Sequence, residues 1–171
     1  EVARVLDVSR NPYFRDAQLR LFVGYRDGEA VARTSIVIDR KFEEKYHKRT
    51  AFFGFFECID DADVAARLFS EAEAFCMDQG AGDIEGPFSP NHYSELGVLL
   101  NGFDRSPAFF QAYNPPHYVN ILQAVGFEEC HRVFTARSEN IAGYLEQRYG
   151  PPCEAAPPYG FTVDHLNLAN L

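Results

Sequence analysis

The 171-residue sequence contains no tryptophan, one methionine and no CxxC pair. Its four cysteines, Cys58, Cys76, Cys130 and Cys153, stand singly along the chain. Isolated cysteines form neither a zinc knuckle nor a dithiol redox pair, so we expect no metal site of that kind. A disulfide framework is not expected in a chain of this length with 46% apolar residues, which favours a reducing cytoplasm.

Long apolar runs are also missing. None approaches the roughly 20 residues that cross a bilayer, and the first ten residues mix acids and bases without the apolar core of a signal peptide. We therefore expect no membrane partner. The sequence further lacks HExxH, a P-loop and a GxSxG elbow, so metalloprotease, nucleotide-phosphate and serine-hydrolase chemistry have no support.

Basic residues are scarce in the middle of the chain. Residues 51–104 contain one base, Arg67, against 11 acids, and the whole chain carries a formal charge of −9. A nucleic-acid partner requires a basic face that displaces counterions from phosphates. The charge distribution therefore argues against nucleic acid and leaves a small molecule as the expected partner.

What the sequence does contain is a pattern of alternating strands and helices. Apolar alternation predicts strands over 19–25 and 30–38 joined by a turn at Asp27-Gly28, and a buried aromatic strand over 50–59. Helical spacing follows over 60–79, with an Asp cap and a Gly80 stop. The remaining predictions are a charged loop at 40–49, a short strand at 83–87, an irregular segment at 88–116, a helix opened by Asn114-Pro115 and ended by Gly126, a strand at 132–136 and a helix at 141–149. This order predicts a mixed α/β (α+β) fold in which helices flank a mostly antiparallel sheet.

Proline marks the expected domain boundary. We predict one domain over residues 1–150, then a stiff linker at 151–158 (PPCEAAPP) within a C-terminal extension that runs from 151 to 171. Residues 161–168 alternate as a strand. Such a strand would pair with the sheet of this chain or with that of a second copy, which would give a homodimer.

The runs GFFECIDD, GPFSPN, NGFD and YNPPHY…GF resemble a bacterial group of the acyl-CoA N-acyltransferase (GNAT) superfamily, over roughly residues 11–137. The resemblance implies an N-acyltransferase that moves an acyl group from acyl-CoA, such as acetyl-CoA, to a small amine. It also implies that a glycine-rich loop before the long helix binds the diphosphate of CoA. Here the matching stretch, 58–63, contains no glycine and three carboxylates.

The resemblance also implies catalytic residues. Glu57, at the end of the aromatic strand, would be the general base that takes a proton from the attacking amine. The family's general acid is a Tyr in the last helix, but Leu122 stands at that place. Tyr118, one helical turn earlier, or His117 beside it, would replace it. The alternatives are an ordinary charge at a strand end for Glu57 and a surface aromatic for Tyr118.

The long segment 86–118 holds further candidates. Orienting hydrogen bonds to a substrate would come from polar side chains there, in a pocket that is otherwise apolar. The alternative is that these residues only turn the chain or cap a helix. The candidates are Ser89, Asn91, Tyr93, Asp104, Tyr113 and Asn114.

A second function hypothesis follows from the acidic stretch 58–63. Carboxylates at a helix start already satisfy the helix dipole and repel a diphosphate. The chain would then be a non-catalytic GNAT-like module that binds a ligand or another domain. The two hypotheses differ in whether the chain turns over an acyl donor.

Overall fold

The computed structural model describes residues 2–109, 111–135 and 139–150. The chain divides into two compact units, residues 1–129 and 130–171. The first holds the sheet and the core; the second contains helix α5 (Ile141–Tyr149), which confirms the predicted helix. The predicted linker and strand over 151–171, and with them the expected dimer contact, lie outside the described residues. The domain boundary at 150 stays a prediction.

A four-stranded sheet in the order β1-β2-β3-β4 forms the centre of the first unit. The β1–β2 and β2–β3 pairs are antiparallel, whereas β3 and β4 are parallel. The mixed α/β class with a mostly antiparallel sheet flanked by helices is therefore confirmed, and it is consistent with a GNAT-like fold. The strands are β1 (Ala17–Arg26), β2 (Glu29–Asp39), β3 (Thr50–Cys58) and β4 (Asp83–Glu85).

The β1–β2 hairpin turns where the sequence predicts it. Asp27 and Gly28 both adopt positive φ angles, 52° and 86°, as a two-residue hairpin loop of this kind requires. The register runs from Ala17 opposite Asp39 to Arg26 opposite Glu29. Two short helical turns, α1 (Val2–Val5) and a 3₁₀ turn (Pro12–Arg15), precede the hairpin.

The prediction of a loop over 40–49 is wrong for most of that segment, which forms helix α2 (Arg40–Tyr46). Asp39 caps the helix by accepting from the backbone N–H groups of Lys41 and Phe42. The Phe42 and Tyr46 rings lie 4.6 Å apart at i,i+4 spacing, and Phe42 also meets Phe52 of β3 at 4.9 Å. This aromatic packing stabilises the helix, whereas the charged residues of the segment favour a loop in the sequence-based prediction.

Helix α3 (Ala62–Asp78) covers one face of the sheet and confirms the predicted helix. Its buried side chains recur at helical spacing and pack against Ile36 of β2 and Phe53 of β3, both of which are fully buried. The buried residues of α3 are Val64, Ala65, Leu68, Phe69, Ala72 and Cys76.

After β4 the chain forms a two-stranded ribbon, β5 (Phe88–Ser89) with β6 (Glu95–Leu96), and then helix α4 (His117–Ala124). Asn114 does not cap α4, because its Oδ1 accepts from the Leu99 N–H at 2.7 Å instead. The strand predicted at 132–136 is also wrong over the described residues 132–135, which are irregular. Val133 and Phe134 are exposed there, so little burial would favour a strand.

Candidate functional site

A β-bulge in β3 sets the geometry of the candidate site. Ser35 of β2 lies opposite Gly54, and Arg33 lies opposite Glu57, so Phe55 and Phe56 together oppose Thr34. Phe55 has a φ of 47°, a conformation that bulky side chains rarely adopt. A bulge re-aims the residues that follow it and is often found next to active sites.

Ser89 secures this bulge. Its Oγ accepts a hydrogen bond from the Phe55 N–H at 3.2 Å, a donor that the bulge removes from the strand ladder. Gly54 explains how the ribbon comes so close, because a Cβ at this position would lie 1.7 Å from the backbone oxygen of Phe88. The predicted ligand-binding residue Ser89 thus shapes β3, and no described contact assigns it to a substrate.

Glu57 lies just beyond the bulge on the face of the sheet opposite α3. Its side chain is 63% exposed, and Oε1 lies 2.8 Å from an Arg33 guanidinium nitrogen. Exposure leaves the second carboxylate oxygen accessible to an incoming group. The Arg33 guanidinium binds one carboxylate oxygen and leaves the other free to accept a proton, so the geometry allows Glu57 to act as a proton acceptor.

Arg33 is a member of this site that sequence reasoning missed. It stands directly opposite Glu57 in the β2–β3 register and directly opposite Val23 in the β1–β2 register. Its Nε is buried and has no hydrogen-bond partner within the described ranges. The antiparallel hairpin was predictable, but the two-for-one count at the bulge, which brings Arg33 opposite Glu57, was not.

Tyr118 and His117 meet the backbone of the residue after Glu57. The Tyr118 Oη accepts from the Cys58 N–H at 3.2 Å, and the His117 Nε2 lies 3.1 Å from the Cys58 oxygen. The interpretation of Tyr118 as a surface aromatic is wrong: the residue is buried, with its ring 5.0 Å from that of Phe56. Burial raises the pKa of the Tyr118 hydroxyl, which outweighs the lowering effect of the Cys58 hydrogen bond.

The start of α3 is closed to an anion. Asp61 caps the helix by accepting from the backbone N–H groups of Asp63 and Val64, at 3.0 and 3.3 Å. Its other oxygen lies 2.7 Å from Arg26, and that hydrogen bond is the main reason that the pKa of Asp61 is lowered. The donors that a CoA diphosphate would use are therefore occupied by a carboxylate. The residues present do not fit a diphosphate at this position.

The basic residues around α2 offer no ready substitute. Arg40 and Lys41 both pair with Asp16, while Arg49 pairs with Glu43 and Lys48 with Asp83 and Glu85. These contacts neutralise most of the positive charge of the segment. A cavity of about 390 Å³ opens there, lined by Arg15, Asp16, Ala17, Gln18, Ile38, Arg40, Glu43 and Arg49.

The other predicted ligand-binding residues have local contacts or stand exposed. Asn91 accepts from the Tyr93 N–H at 3.0 Å in a turn, and Tyr93 is 94% exposed. Asp104 and Tyr113 are exposed, and Asn114 ties Leu99 to the chain ahead of α4. The structure therefore gathers Glu57, Ser89, His117 and Tyr118 at the bulged end of β3. Their roles in binding or catalysis stay predictions.

Within residues 2–109, 111–135 and 139–150, no three His, Cys, Asp or Glu side chains stand close enough to hold a metal ion. Within those same ranges, no helix has the length and apolar character to span a bilayer.

Comparison with known proteins finds relatives longer than this chain, and no protein-family model matches it. Over 121 residues, 71% of the chain, it is 36% identical to Protein YghO of Escherichia coli, of which it covers 31%. Over 137 residues, 80% of the chain, it is 28% identical to Bacterial ceramide synthase of Caulobacter vibrioides, of which it covers 36%. The chain thus spans about a third of the length of the curated relatives it matches. A solved structure described as a probable acetyltransferase is similar at a TM-score of 0.39 and 11% identity, over 73% of this chain and 70% of that one.

Proposed function

We propose that this chain carries the catalytic face of an N-acyltransferase, which moves an acyl group from a thioester such as acyl-CoA to an amine. The observation that carries the proposal is the exposed Glu57 carboxylate, held by Arg33 just beyond the β3 bulge. An amine must lose a proton as it becomes an amide. An accessible, oriented carboxylate is a suitable acceptor for that proton.

The relative named as a ceramide synthase supports the same chemistry. A ceramide is a long-chain amino alcohol whose nitrogen carries an acyl group, so making one requires acylation of an amine. A continuous match of 137 residues within a chain of 171 must include Glu57 and Tyr118. The proposal therefore brings that class of reaction to the part of this chain in which the candidate residues stand.

In the proposed reaction the amine nitrogen attacks the thioester carbonyl carbon. Glu57 takes the proton that the nitrogen loses, the C–N bond forms, the C–S bond breaks, and the thiolate leaves with a proton from solvent or from Tyr118. The Tyr118 oxygen accepts from Cys58, so its own hydroxyl hydrogen remains available for donation. Arg33 is a positioning residue, since it acts on the orientation of Glu57.

The acyl donor must bind in a way that differs from the diphosphate-binding loop that the family resemblance implies. Asp61 occupies the helix-start donors, so the diphosphate of CoA gains nothing there. We therefore expect acetyl-pantetheine, which lacks the diphosphate, to serve as a donor within a few-fold of acetyl-CoA.

Amide formation from an alkylamine and either donor, followed by mass spectrometry, tests the proposal. We expect Glu57→Gln to lower the rate by about 10²–10⁴-fold, the usual contribution of a positioned base. Glu73→Gln, an exposed carboxylate on α3, is the matched control and should keep the full rate. Absence of amide with both donors, or full activity in Glu57→Gln, would contradict the proposal.

A second candidate, a non-catalytic ligand-binding or interaction module, is favoured by one observation. The Asp61 cap and its Arg26 partner fill the place at which the family resemblance predicts a diphosphate. In that case the chain would bind an amine without turning over any thioester. Calorimetry with the amine alone, beside the transfer assay, separates binding without turnover from catalysis.

A further inference from the structure

Strand β1 carries an apolar strip that faces solvent. Leu21, Val23 and Tyr25 are 52%, 49% and 68% exposed, and they alternate along one face of the strand. The opposite face of β1 turns toward α3, where Phe22 packs edge-on against Phe75 at 6.2 Å. Exposed apolar patches of this kind on a folded domain commonly mark a binding surface.

The sheet register places this strip beside the candidate site. Residues that lie directly opposite in an antiparallel sheet project from the same face. Val23 is opposite Arg33, and Arg33 is opposite Glu57, so all three side chains share the face away from α3. Two strand spacings separate Val23 from Glu57, which is about 10 Å.

Each part of this face has a distinct chemistry. The carboxylate of Glu57 and the guanidinium of Arg33 form a polar end, and the strip on β1 forms an apolar end about 13 Å long from Leu21 to Tyr25. A ligand that fits both ends has a polar head and a hydrocarbon tail. A long-chain primary amine has this form.

We propose that the strip of Leu21, Val23 and Tyr25 binds the hydrocarbon tail of a long-chain amine whose nitrogen lies at Glu57. This inference rests on the proposed function. The hydrocarbon tail belongs to the amine that accepts the acyl group and not to the acyl donor. Glu57 would take its proton from that amine, and the strip begins beside Arg33, the partner of Glu57. The substrate class is then a long-chain amine, such as an alkylamine or an amino alcohol with a long tail.

A competing location lies on the helix side of the sheet. A cavity of about 440 Å³ there has both apolar and charged walls, and it is separated from Glu57 by the sheet itself. Tyr25, at the end of the strip, also lines this cavity, so a tail bound there would contact Tyr25 but would be insensitive to Leu21 and Val23. The cavity is lined by Gly24, Tyr25, Arg26, Val31, Asp63, Val64, Arg67, Leu68 and Glu71.

The test varies the hydrocarbon length of the amine and that of the acyl donor separately. Primary n-alkylamines from butylamine to decylamine are assayed with acetyl-pantetheine, and butylamine is assayed with acetyl to decanoyl donors. We expect kcat/KM to rise about twofold for each methylene added to the amine, half the effect of a fully buried methylene, and roughly 60-fold across the series. Lengthening the donor chain should leave kcat/KM nearly unchanged.

The double variant Leu21→Thr/Val23→Thr keeps β-forming side chains and removes apolar surface. It should flatten the dependence on amine length, so that kcat/KM for decylamine falls toward the value for butylamine. Met77→Thr on α3, where Met77 is 70% exposed, is the matched control and should keep the full dependence. An unchanged dependence in the double variant would overturn the inference, as would a dependence that follows the donor chain.

Calorimetric binding of decylamine and butylamine makes the inference independent of turnover. Decylamine should bind roughly 60-fold tighter to the wild-type chain, and this advantage should be lost in the double variant. If no amide forms but the binding difference holds, the proposed catalysis fails and the tail site stands. If decylamine binds no tighter than butylamine, the tail site fails. Conversion of a dimer to a monomer by the double variant, without any chain-length effect, would assign the strip to a contact between copies instead.

Discussion

The two faces of the sheet differ although the same strands build both. The face toward α3 is closed: Ile36, Phe53 and Phe69 have almost no exposed surface. Among the described residues, those that cover the opposite face do so at one end, where Phe52 packs against the rings of Phe42 and Phe88. At its other end, beyond the β3 bulge, this face is open and carries the Arg33–Glu57 pair.

This difference separates the residues that stabilise the fold from those that the proposed function uses. Apolar residues on the closed face stabilise the fold by burial, whereas those on the open end of the other face gain little from folding. Polar and apolar side chains at that end therefore face solvent and contribute little to the stability of the fold. The bulge at Phe55 marks the change between the two ends, and there Ser89 of the covering ribbon accepts a hydrogen bond from the Phe55 N–H.

Truncation of a large side chain on each face should show the largest contrast. Phe53→Ala removes a fully buried ring and should lower the free energy of unfolding by about 3–5 kcal/mol. Leu21→Ala on the exposed side of β1 should cost less than about 1 kcal/mol, since half of that side chain is already in water. Urea denaturation measures both. Similar losses would mean that the open end is part of the core.

The variant Gly54→Ala tests how tightly the β5–β6 ribbon covers the face of the sheet away from α3. The new Cβ would lie 1.7 Å from the Phe88 oxygen, so the ribbon must move, and a loss of about 1–3 kcal/mol is expected. Gly24→Ala on β1 is the control, because its Cβ would meet the nearest atom at an ordinary 3.7 Å. Equal stabilities of the two variants would contradict the close approach.

The closed face should also show itself in the titration of Cys76. Burial raises the pKa of this thiol from 9.0 to about 11, because the core disfavours the thiolate. The buried, protonated Cys76 thiol contributes fully to the free energy of unfolding below pH 9, and this contribution is lost as the pH rises through about 11. The stability difference between the wild type and Cys76→Ala should therefore shrink over that range in denaturation curves. A stability difference that stays constant from pH 8 to pH 12 would contradict the burial of this thiol.

Much of the fold was predictable because it follows from local patterns. The Asp27-Gly28 turn, the aromatic strand β3 and the helical spacing of α3 each reflect short-range rules. Helix α2 was missed because its stability comes from the contact of Phe42 with Phe52 of β3, which no local pattern records. The strand expected at 132–136 failed because extended propensity alone does not supply burial.

The candidate site was predictable only in part. Glu57 and Tyr118 were predicted through resemblance, and their roles stay predictions; the burial of Tyr118 depends on how α4 packs against Phe56. Arg33 and the strip on β1 were missed, since their position beside Glu57 depends on the register of three strands and on one bulge. Alternation in LRLFVGY indicates a strand with apolar residues on both faces, and this is the signal that could have pointed to the strip.

Photolabelling of the wild-type chain would test the central claim, that the open face is the binding face, most directly. The probe is decylamine with a diazirine at its last carbon, and tandem mass spectrometry then locates the adduct. We predict adducts on Leu21 or Val23, displaced by unlabelled decylamine and weakened by Leu21→Thr/Val23→Thr. Adducts on Val64 or Leu68 of α3 instead, unaffected by that double variant, would place the ligand on the helix side and contradict the account.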